Sequence, residues 1–549
     1  MDTQKALLAI LFSFLILFGY QYFFIGPAPE SPGGPEPAEK AWEDPTAPEM
    51  PAPPPRLIEA PTGADTPLPA GRDILVETAL YRLVISEVGG GIKSFKLKKH
   101  LETAGPDSDF KELVKTENLR DLPLFFSWGT EPQLAGLSLY TADREALTLT
   151  DRAPREILRM QAVLPSGLEI TRSLSFNYDD YQIGLTIDVR NTSTQPLQGA
   201  PYLRLANRPF APQNSATRFL FNGAALFVDD KLQEIEADDL EEGAQTISGR
   251  IDWLAYEGTY FMSGVIPAEA SNNSARLSVS DTDLVAAVLA GQAEVIPAHG
   301  HKQYNYTVYF GPKKFSELKK VGARLEKIIN FGWFDVVAKP TLHLLNFFYR
   351  YIHNYGVAII LVTILFKMLF WPISHKGMKS MKNMQSLQPK IAKLREKHKT
   401  DSARLNQEMM NLYKTYKVNP LGGCLPMVLQ IPVFFALYKV LLQAIELRHA
   451  PFMLWISDLS APDRLWIGFD IPYLGGIPVL TLLMGASMFL QQKMSPTAAD
   501  PTQAKVMLFL PIIFTFMFLN FASGLVLYWF INNLLSIAQQ YVINRPADA

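Results

Sequence analysis

The chain has 549 residues, 48% of them hydrophobic and 19% charged, with 51 Lys+Arg against 53 Asp+Glu. A net charge of −2 excludes a globally basic nucleic-acid binder, and the apolar content excludes a mostly disordered chain. A single cysteine, Cys424, excludes an intrachain disulfide framework, a CxxC redox pair and a cysteine zinc cluster.

Residues 6–25 carry no charge and follow Lys5. At ~1.5 Å per residue such a run crosses a ~30 Å hydrocarbon core, so residues 1–25 read as an uncleaved anchor, with a cleaved signal as the alternative. Residues 26–71 hold 14 of the 40 prolines. That composition precludes a helix or a packed core and predicts an extended tether.

From 72 to 312 the apolar period is two. Tyr181, Ile183, Leu185, Ile187 and Val189 alternate with polar or small residues, as do Tyr304, Tyr306, Val308 and Phe310. Leu168, Ile170, Leu174 and Phe176 follow a turn at Ser166-Gly167. Short alternating strands between Gly and Pro turns predict an all-β sandwich. No span-length apolar run interrupts it, which keeps it on one side of a membrane. His299 and His301 offer two metal ligands with no third at a recognisable spacing, and the acidic run 234–242 lacks the Asp-x-Asp-x-Asp-Gly pattern of a calcium loop. Both read as solvated loops.

Residues 313–330 place Phe315, Leu318, Leu325 and Ile328 on one stripe, predicting an amphipathic helix that Gly332 interrupts. Residues 333–352 are rich in aromatics but include Asp335, Lys339 and Arg350. The segment 313–354 therefore fits helices lying in the membrane interface, with a soluble core helix as the alternative.

Residues 355–374 form a predicted span with one charge, Lys367; 421–445 and 471–491 are two more. Residues 506–544 are 39 consecutive uncharged positions. As helix they would measure nearly ~60 Å, about twice the hydrocarbon core, which predicts two spans, 506–521 and 525–543, folded at Ala522-Ser523-Gly524. With the anchor the count is six. The segment 375–420 has eleven basic and three acidic residues, whereas 446–470 has two basic and four acidic. The positive-inside rule puts 375–420, 492–505 and both termini in the cytoplasm, and the β domain and 446–470 outside. Within 375–420, Met381, Met384, Leu387, Ile391 and Leu394 recur at helical spacing, and Leu405, Met409, Leu412 and Tyr416 repeat the pattern after Thr400-Asp401-Ser402. Two such helices predict an antiparallel hairpin. Its basic outer face could meet RNA, or only solvent and lipid headgroups.

A lysine near the centre of a span costs on the order of 3 kcal/mol or more unless it is paired, hydrated or snorkelling. Lys367 is six residues from Ile373, so snorkelling remains open to it. Thr363 lies one turn away on the same face. Other spans add Gln430, Asn520, Ser523, Asn532, Asn533, Gln539 and Gln540, but no Asp or Glu. An isolated cation among uncharged polar groups implies a wet cavity that would attract an anionic group.

Four longer runs carry a resemblance: Asn419-Pro420-Leu421-Gly422-Gly423-Cys424, Leu447-Arg448-His449-Ala450-Pro451-Phe452, Gln492-Lys493-Met494-Ser495-Pro496 and Ser523-Gly524-Leu525-Val526-Leu527-Tyr528. They resemble signature runs of the YidC/Oxa/Alb family of membrane protein insertases, and the order of segments is similar along essentially the whole chain. The resemblance implies a polytopic α-helical protein of the bacterial inner membrane with six transmembrane helices and a five-helix insertase core. It also implies a large periplasmic β-supersandwich domain, similar to sugar mutarotases, and a cytoplasmic helical hairpin. The implied function is that of an insertase and chaperone, without covalent catalysis or a cofactor. Nascent inner-membrane proteins, the Sec translocon, the ribosome and the phospholipid bilayer are the implied partners, with no direct sequence-specific nucleic acid. The family's positive groove residue, usually Arg, maps onto Lys367 and a further groove residue onto Thr363. Gln430, Asn520, Ser523, Tyr528, Trp529, Asn532 and Asn533 complete the expected groove. Leu425, Met427, Val428, Phe434, Met507, Phe509 and Phe514 make the expected hydrophobic slide. Lys379, Lys382, Lys390, Lys393 and Lys493 are the expected ribosome or partner contacts. Two departures stand out: Lys for Arg keeps the charge but loses the planar fork, and Trp529 falls where related sequences often have Tyr. An ion-coupled membrane transporter is the alternative function, but it should show inverted repeats, and no convincing repeat is present.

Overall fold

The computed structural model describes residues 56–57, 70–105, 107–116, 118–132, 137–211, 220–280, 283–398, 401–416, 425–469, 471–472, 474–494 and 501–544. The expected anchor 1–25, nearly all of the tether and the run 419–424 lie outside the described residues.

The period-two segment forms two sheets, one of fifteen strands and one of five. In the larger sheet Leu168–Asn177 pairs antiparallel with Arg155–Val163 on one side and Gln182–Asn191 on the other, and the latter pairs with His301–Pro312. The register sets Ile170 opposite Val189 and Leu174 opposite Leu185, so the alternating apolar residues share one buried face. The five-stranded sheet runs Phe110–Glu112, Ile92–Leu101, Tyr81–Ser86, Asp73–Glu77, Ala146–Thr148. The acidic run is not a plain loop. Lys231–Glu236 is a strand, and α1 (Ala237–Glu241) is a single helical segment that buries Leu240. His299 sits in the turn before His301–Pro312.

Arg172 joins the two sheets. Fully buried, it donates to the carbonyls of Gly89 (3.1 Å) and Leu124 (2.9 Å). The glycine at position 90, just past Tyr81–Ser86, follows from this contact. A Cβ on Gly90, whose φ is +66°, would stand 2.3 Å from the guanidinium.

Nearby, Glu87 accepts from the Arg72 amide (2.9 Å), the Arg72 guanidinium (2.8 Å) and the Ala142 amide (3.1 Å). The Arg72 hydrogen bonds, working against burial, hold its carboxyl down at about 2. A carboxylate depressed in the folded state stabilises fully above the unfolded value and loses that contribution as pH falls through the folded one. Acid unfolding is therefore expected to draw on this site as pH drops from the ordinary carboxylate range towards 2. Glu87→Gln should flatten that limb, read by thermal unfolding of the full chain at pH 5 and pH 3.

The expected continuous helix 313–330 is broken. Helix α2 (Phe315–Val321) ends at Gly322, with Ala323 and Arg324 also at positive φ, before a 3-10 turn at Leu325–Ile328. Arg324 accounts for the break: its guanidinium pairs with Asp230 (2.5 Å) and Asp252 (2.6 Å) and lies over the Phe227 ring. A continuous helix would carry it away from these sandwich residues. Helix α3 (Asp335–Ile352) then leaves Trp333, Val336 and Tyr351 exposed while burying Ala338, Leu342 and Leu345.

The remaining helices are α4 (Tyr355–Ser386), α5 (Gln388–Lys397), α6 (Ser402–Thr415), α7 (Leu425–Gln443), α8 (Val479–Met494), α9 (Pro501–Phe518) and α10 (Ser523–Asn544). By length and composition Tyr355–Met384 suffices to cross a membrane, while Gln430–Gln443 and Met507–Phe518 are shorter apolar helices. Helix α10 packs between α4 and α8, α9 lies on α8, and α3 lies against α4 and α7. Two extents differ from expectation. Helix α4 runs on to Ser386, so Met381 and Met384 belong to it and the break falls at Leu387, before Pro389 in the first turn of α5. Leu387 and Ile391 then bury against Met384, Met409, Leu412 and Tyr413. Within 471–491 the helix starts only at Val479, because Ile477 pairs with Leu465 in a β-bridge.

The sandwich meets the helices through the segment after α7. Arg448 donates to the carbonyls of Leu101 (2.6 Å) and Glu102 (3.0 Å) and lies over the Phe261 ring, while Leu220 buries with Leu442 and Ala522. Arg448→Ala is expected to weaken this joint by about 2 kcal/mol, the value of hydrogen bonds to a charged group. Faster amide hydrogen exchange around Leu101 in the full chain, with the sheet interior unchanged, is the measurable result.

Candidate functional site

Helices α4 and α10 face each other with a polar stripe on each. On α4 the stripe is Thr363, Lys367 and Ser374, at spacings of four and seven that fall on one face. On α10 Asn532, Ser536 and Gln539, at spacings of four and three, also share one face. The Lys367 ammonium donates to Ser536 Oγ (2.6 Å), and Ser374 Oγ to Gln539 Oε1 (3.0 Å). Ser536 Oγ itself donates to the Asn532 carbonyl (2.7 Å).

Beside these bonds is a cavity of about 40 Å³, enough for a few water molecules. Its lining includes Thr363, Lys367, Ser374, Gln430, Tyr528 and Asn532, with Phe366, Phe370, Ile373 and Val433 as the apolar part. Lys367 is half-buried, and among the described residues it forms no ion pair. The cavity thus presents one cation and a set of neutral dipoles. Such an arrangement can attract and partly solvate a carboxylate.

Five of the expected groove residues meet here: Lys367, Thr363, Gln430, Tyr528 and Asn532. Four stand elsewhere. Asn520 accepts from Arg464 (3.0 Å), and Ser523 donates to the Asp458 carbonyl (2.8 Å), so both hold the loop before α8 at the far end of α10. Asn533 points the other way around α10 and donates to Ser487 of α8 (3.0 Å). Trp529 has its ring against Phe434 (4.7 Å between centroids), Phe518 (5.2 Å) and Phe514 (6.2 Å). It is an aromatic hub joining α7 and α9 to α10. Phe434 and Phe514 of the expected slide belong to that hub, whereas Met507 and Phe509 are exposed on α9. Leu425, Met427 and Val428 lie on the first turns of α7, with their side chains outside the described residues.

Of the expected contact lysines, Lys379, Lys393 and Lys493 are exposed. Lys390 lies over the Tyr416 ring (4.1 Å) and bonds its hydroxyl. Lys382 is turned inward and donates to the Ile543 carbonyl (2.7 Å), satisfying one of the free carbonyls at the end of α10. Sequence reasoning missed Ser374 and Ser536. The signal was present in the four- and seven-residue spacings from Asn532 and Lys367, but serines are common enough in helices to pass unnoticed.

Residues 73–344 match the family model described as the YidC periplasmic domain, and residues 347–549 the one described as 60Kd inner membrane protein. The chain is also 43% identical over 546 residues to a membrane protein insertase YidC of Citrifermentans bemidjiense, with 99% of each chain covered. It belongs to the YidC family. Another family member, the membrane protein insertase YidC of Syntrophobacter fumaroxidans, is 41% identical over 476 residues, 86% of each chain. A crystal structure of an active YidC insertase with its first transmembrane domain resolved is 18% identical, with a TM-score of 0.37, covering 86% of this chain and 93% of that one. In the terms of the YidC family, the β sandwich is the periplasmic domain and the helices from α4 onward are the insertase core. The Lys367 cavity lies in that core.

Proposed function

We propose that this chain inserts hydrophobic segments of nascent inner-membrane proteins and assists their folding, working alone or with the Sec translocon. The observation that carries this reading is Lys367: a half-buried cation that, among the described residues, bonds the neutral Ser536 and forms no ion pair, in a cavity lined by neutral polar groups. The acidic extracellular tail of an incoming segment is drawn to that charge and partly solvated by Thr363, Gln430, Tyr528 and Asn532. Its apolar helix leaves along the exposed apolar face of α9, where Phe509, Ile513 and Phe516 stand in a row at helical spacing. The hydrophobic effect drives this second step, and no covalent step or cofactor is needed.

In this reading the protein crosses the inner membrane six times. The spans are 1–25, 355–374, 421–445, 471–491, 506–521 and 525–543, with both termini and the 375–420 hairpin cytoplasmic. The tether 26–71, the sandwich 72–312, the helices 313–354 and the loop 446–470 are periplasmic; the loop 492–505 is cytoplasmic. Lys379, Lys393 and Lys493 offer exposed ammonium groups to a ribosome, whereas Lys382 is engaged within the protein and Lys390 is stacked on Tyr416. Nothing in the cavity favours the ion-coupled transporter.

The test is photo-crosslinking from Thr363 to a stalled ribosome–nascent chain bearing one transmembrane segment. A crosslink to the nascent segment is expected. Its absence, with crosslinks found instead from the outer surface of α10, would overturn the groove reading.

A further inference from the structure

We propose that the hairpin closed by the Leu465–Ile477 bridge is an outer-leaflet anchor. In it, Trp466, Ile467 and Phe469 enter the acyl boundary of the phospholipid bilayer while Arg464 stays at headgroup level. This rests on the reading that α7–α10 cross the membrane.

Three large apolar residues within four positions are exposed: Trp466 at 66%, Ile467 at 41% and Phe469 at 63%. A water-facing turn has no use for them, since exposed clusters of this kind mark contact surfaces. Their position selects the partner. The bridge fixes the base of the hairpin, and α8 begins at Val479, two residues past Ile477. The outward Leu482 (50% exposed) and Leu483 (45%) follow within the first turns of α8, so the tip continues an apolar outer surface. From the start of α8 at Val479 to its first charge, Lys493, are 15 residues. At ~1.5 Å each they span ~22 Å, short of a ~30 Å hydrocarbon core, which leaves the chain just before Val479 at the depth of the outer acyl boundary.

Arg464 fixes the level. Its guanidinium donates to the Asp463 carbonyl (2.7 Å) and to Asn520 Oδ1 (3.0 Å), beyond the end of α9. A cation held at the helix ends beside a protruding tryptophan is the arrangement of interfacial belts, in which the aromatic ring sits among headgroups and the positive charge faces phosphate. A soluble protein partner would account for the exposed residues, but not for their continuity with α8 or for the short distance from Val479 to Lys493.

The test uses the full chain with Cys424→Ser, reconstituted in phosphatidylethanolamine/phosphatidylglycerol liposomes. Spin labels are placed one at a time through Phe469→Cys, Leu483→Cys on α8 and Arg152→Cys on an exposed turn of the sandwich. Power saturation then reads access to oxygen, which concentrates in lipid, and to a water-soluble nickel chelate. Labels at 469 and 483 are expected to show oxygen-to-nickel ratios about fivefold or more above that at 152, as for side chains buried at the acyl boundary. A label at 469 matching 152 while 483 remains in lipid overturns the anchor and leaves the spanning reading intact. A label at 483 that is open to nickel overturns the spanning reading and the anchor with it. A label at 469 shielded from both probes means that protein covers the tip, and also overturns the anchor.

Discussion

Lys367→Ala is expected to lower the insertion of single-span clients with acidic tails by about tenfold or more. Two unit charges about 4 Å apart attract by about 4 kcal/mol at intermediate dielectric, and a third of that is already about tenfold in an equilibrium. The neighbouring groups cannot substitute, because Thr363, Gln430, Asn532 and Ser536 are neutral. Lys367→Arg keeps the charge and should retain most of the insertion, whereas Lys367→Glu repels the tail and should fall below Ala. Protease protection of the translocated tail in proteoliposomes measures all three variants. A client whose tail carries Asn in place of Asp supplies the second half of a double-mutant cycle. With it, the Lys367→Ala effect should shrink towards nothing. If acidic-tailed clients insert at the wild-type rate in the Ala variant, the groove charge is not what draws them in. The Lys367–Ser536 bond adds a smaller expectation: Ser536→Ala should change insertion far less, since water in the cavity can take over as acceptor.

The second large effect is structural. Arg172→Ala is expected to destabilise the sandwich by about 3 kcal/mol. The guanidinium is fully buried, burial depresses its pKa, and it donates to the carbonyls of Gly89 and Leu124. Leu124 adopts φ of +71°, a conformation that costs a leucine about 1 kcal/mol or more and that the Arg172 bond helps to hold. Removing the side chain strands two buried carbonyls at roughly 1–3 kcal/mol each and opens a cavity, while relief of the buried charge offsets part of the loss. For a domain of this size about 3 kcal/mol lowers Tm by roughly 6–12 °C. Calorimetry of the full chain should show the sandwich transition moving and the helical one staying. Gly90→Ala should act in the same direction, since its Cβ would occupy the space of the guanidinium. A sandwich transition unmoved in Arg172→Ala would mean that Arg172 does not join the sheets.

Much of this architecture was legible in the residues. The alternation Ile183, Leu185, Ile187, Val189 is the buried face of a strand, because side chains in a strand must alternate and one face of the sheet is dry. The polar positions Thr363, Lys367, Gln430 and Asn532 could be named in advance because each is costly in a span without a reason to be there. What could not be read was which polar residues turn towards one another. Asn532 and Asn533 are adjacent in sequence, yet one lines the cavity and the other bonds Ser487, because consecutive helical residues point about 100° apart and only the neighbouring helices decide which direction is the cavity. Asn520 and Ser523 look equally suited to a groove, but they lie at a helix end, where their use is to fasten a loop.

The breaks in the helices follow the same logic. The stripe Phe315, Leu318, Leu325, Ile328 fits one helix, yet the ion pairs of Arg324 with Asp230 and Asp252 require the chain to turn at Gly322. Those carboxylates are about 70 to 95 positions away in sequence, beyond any local pattern. The sequence by itself determined the period of each segment, the uncharged stretches and the isolated charge at Lys367. Each is set by the contrast between water and an apolar surrounding, which acts on residues one at a time. Tertiary structure decided the partners: Ser536 for Lys367, Ile543 for Lys382, Gly89 and Leu124 for Arg172. Hydrogen bonds are directional and short, so a partner is fixed only when packing brings two distant backbones within about 3 Å of side-chain reach.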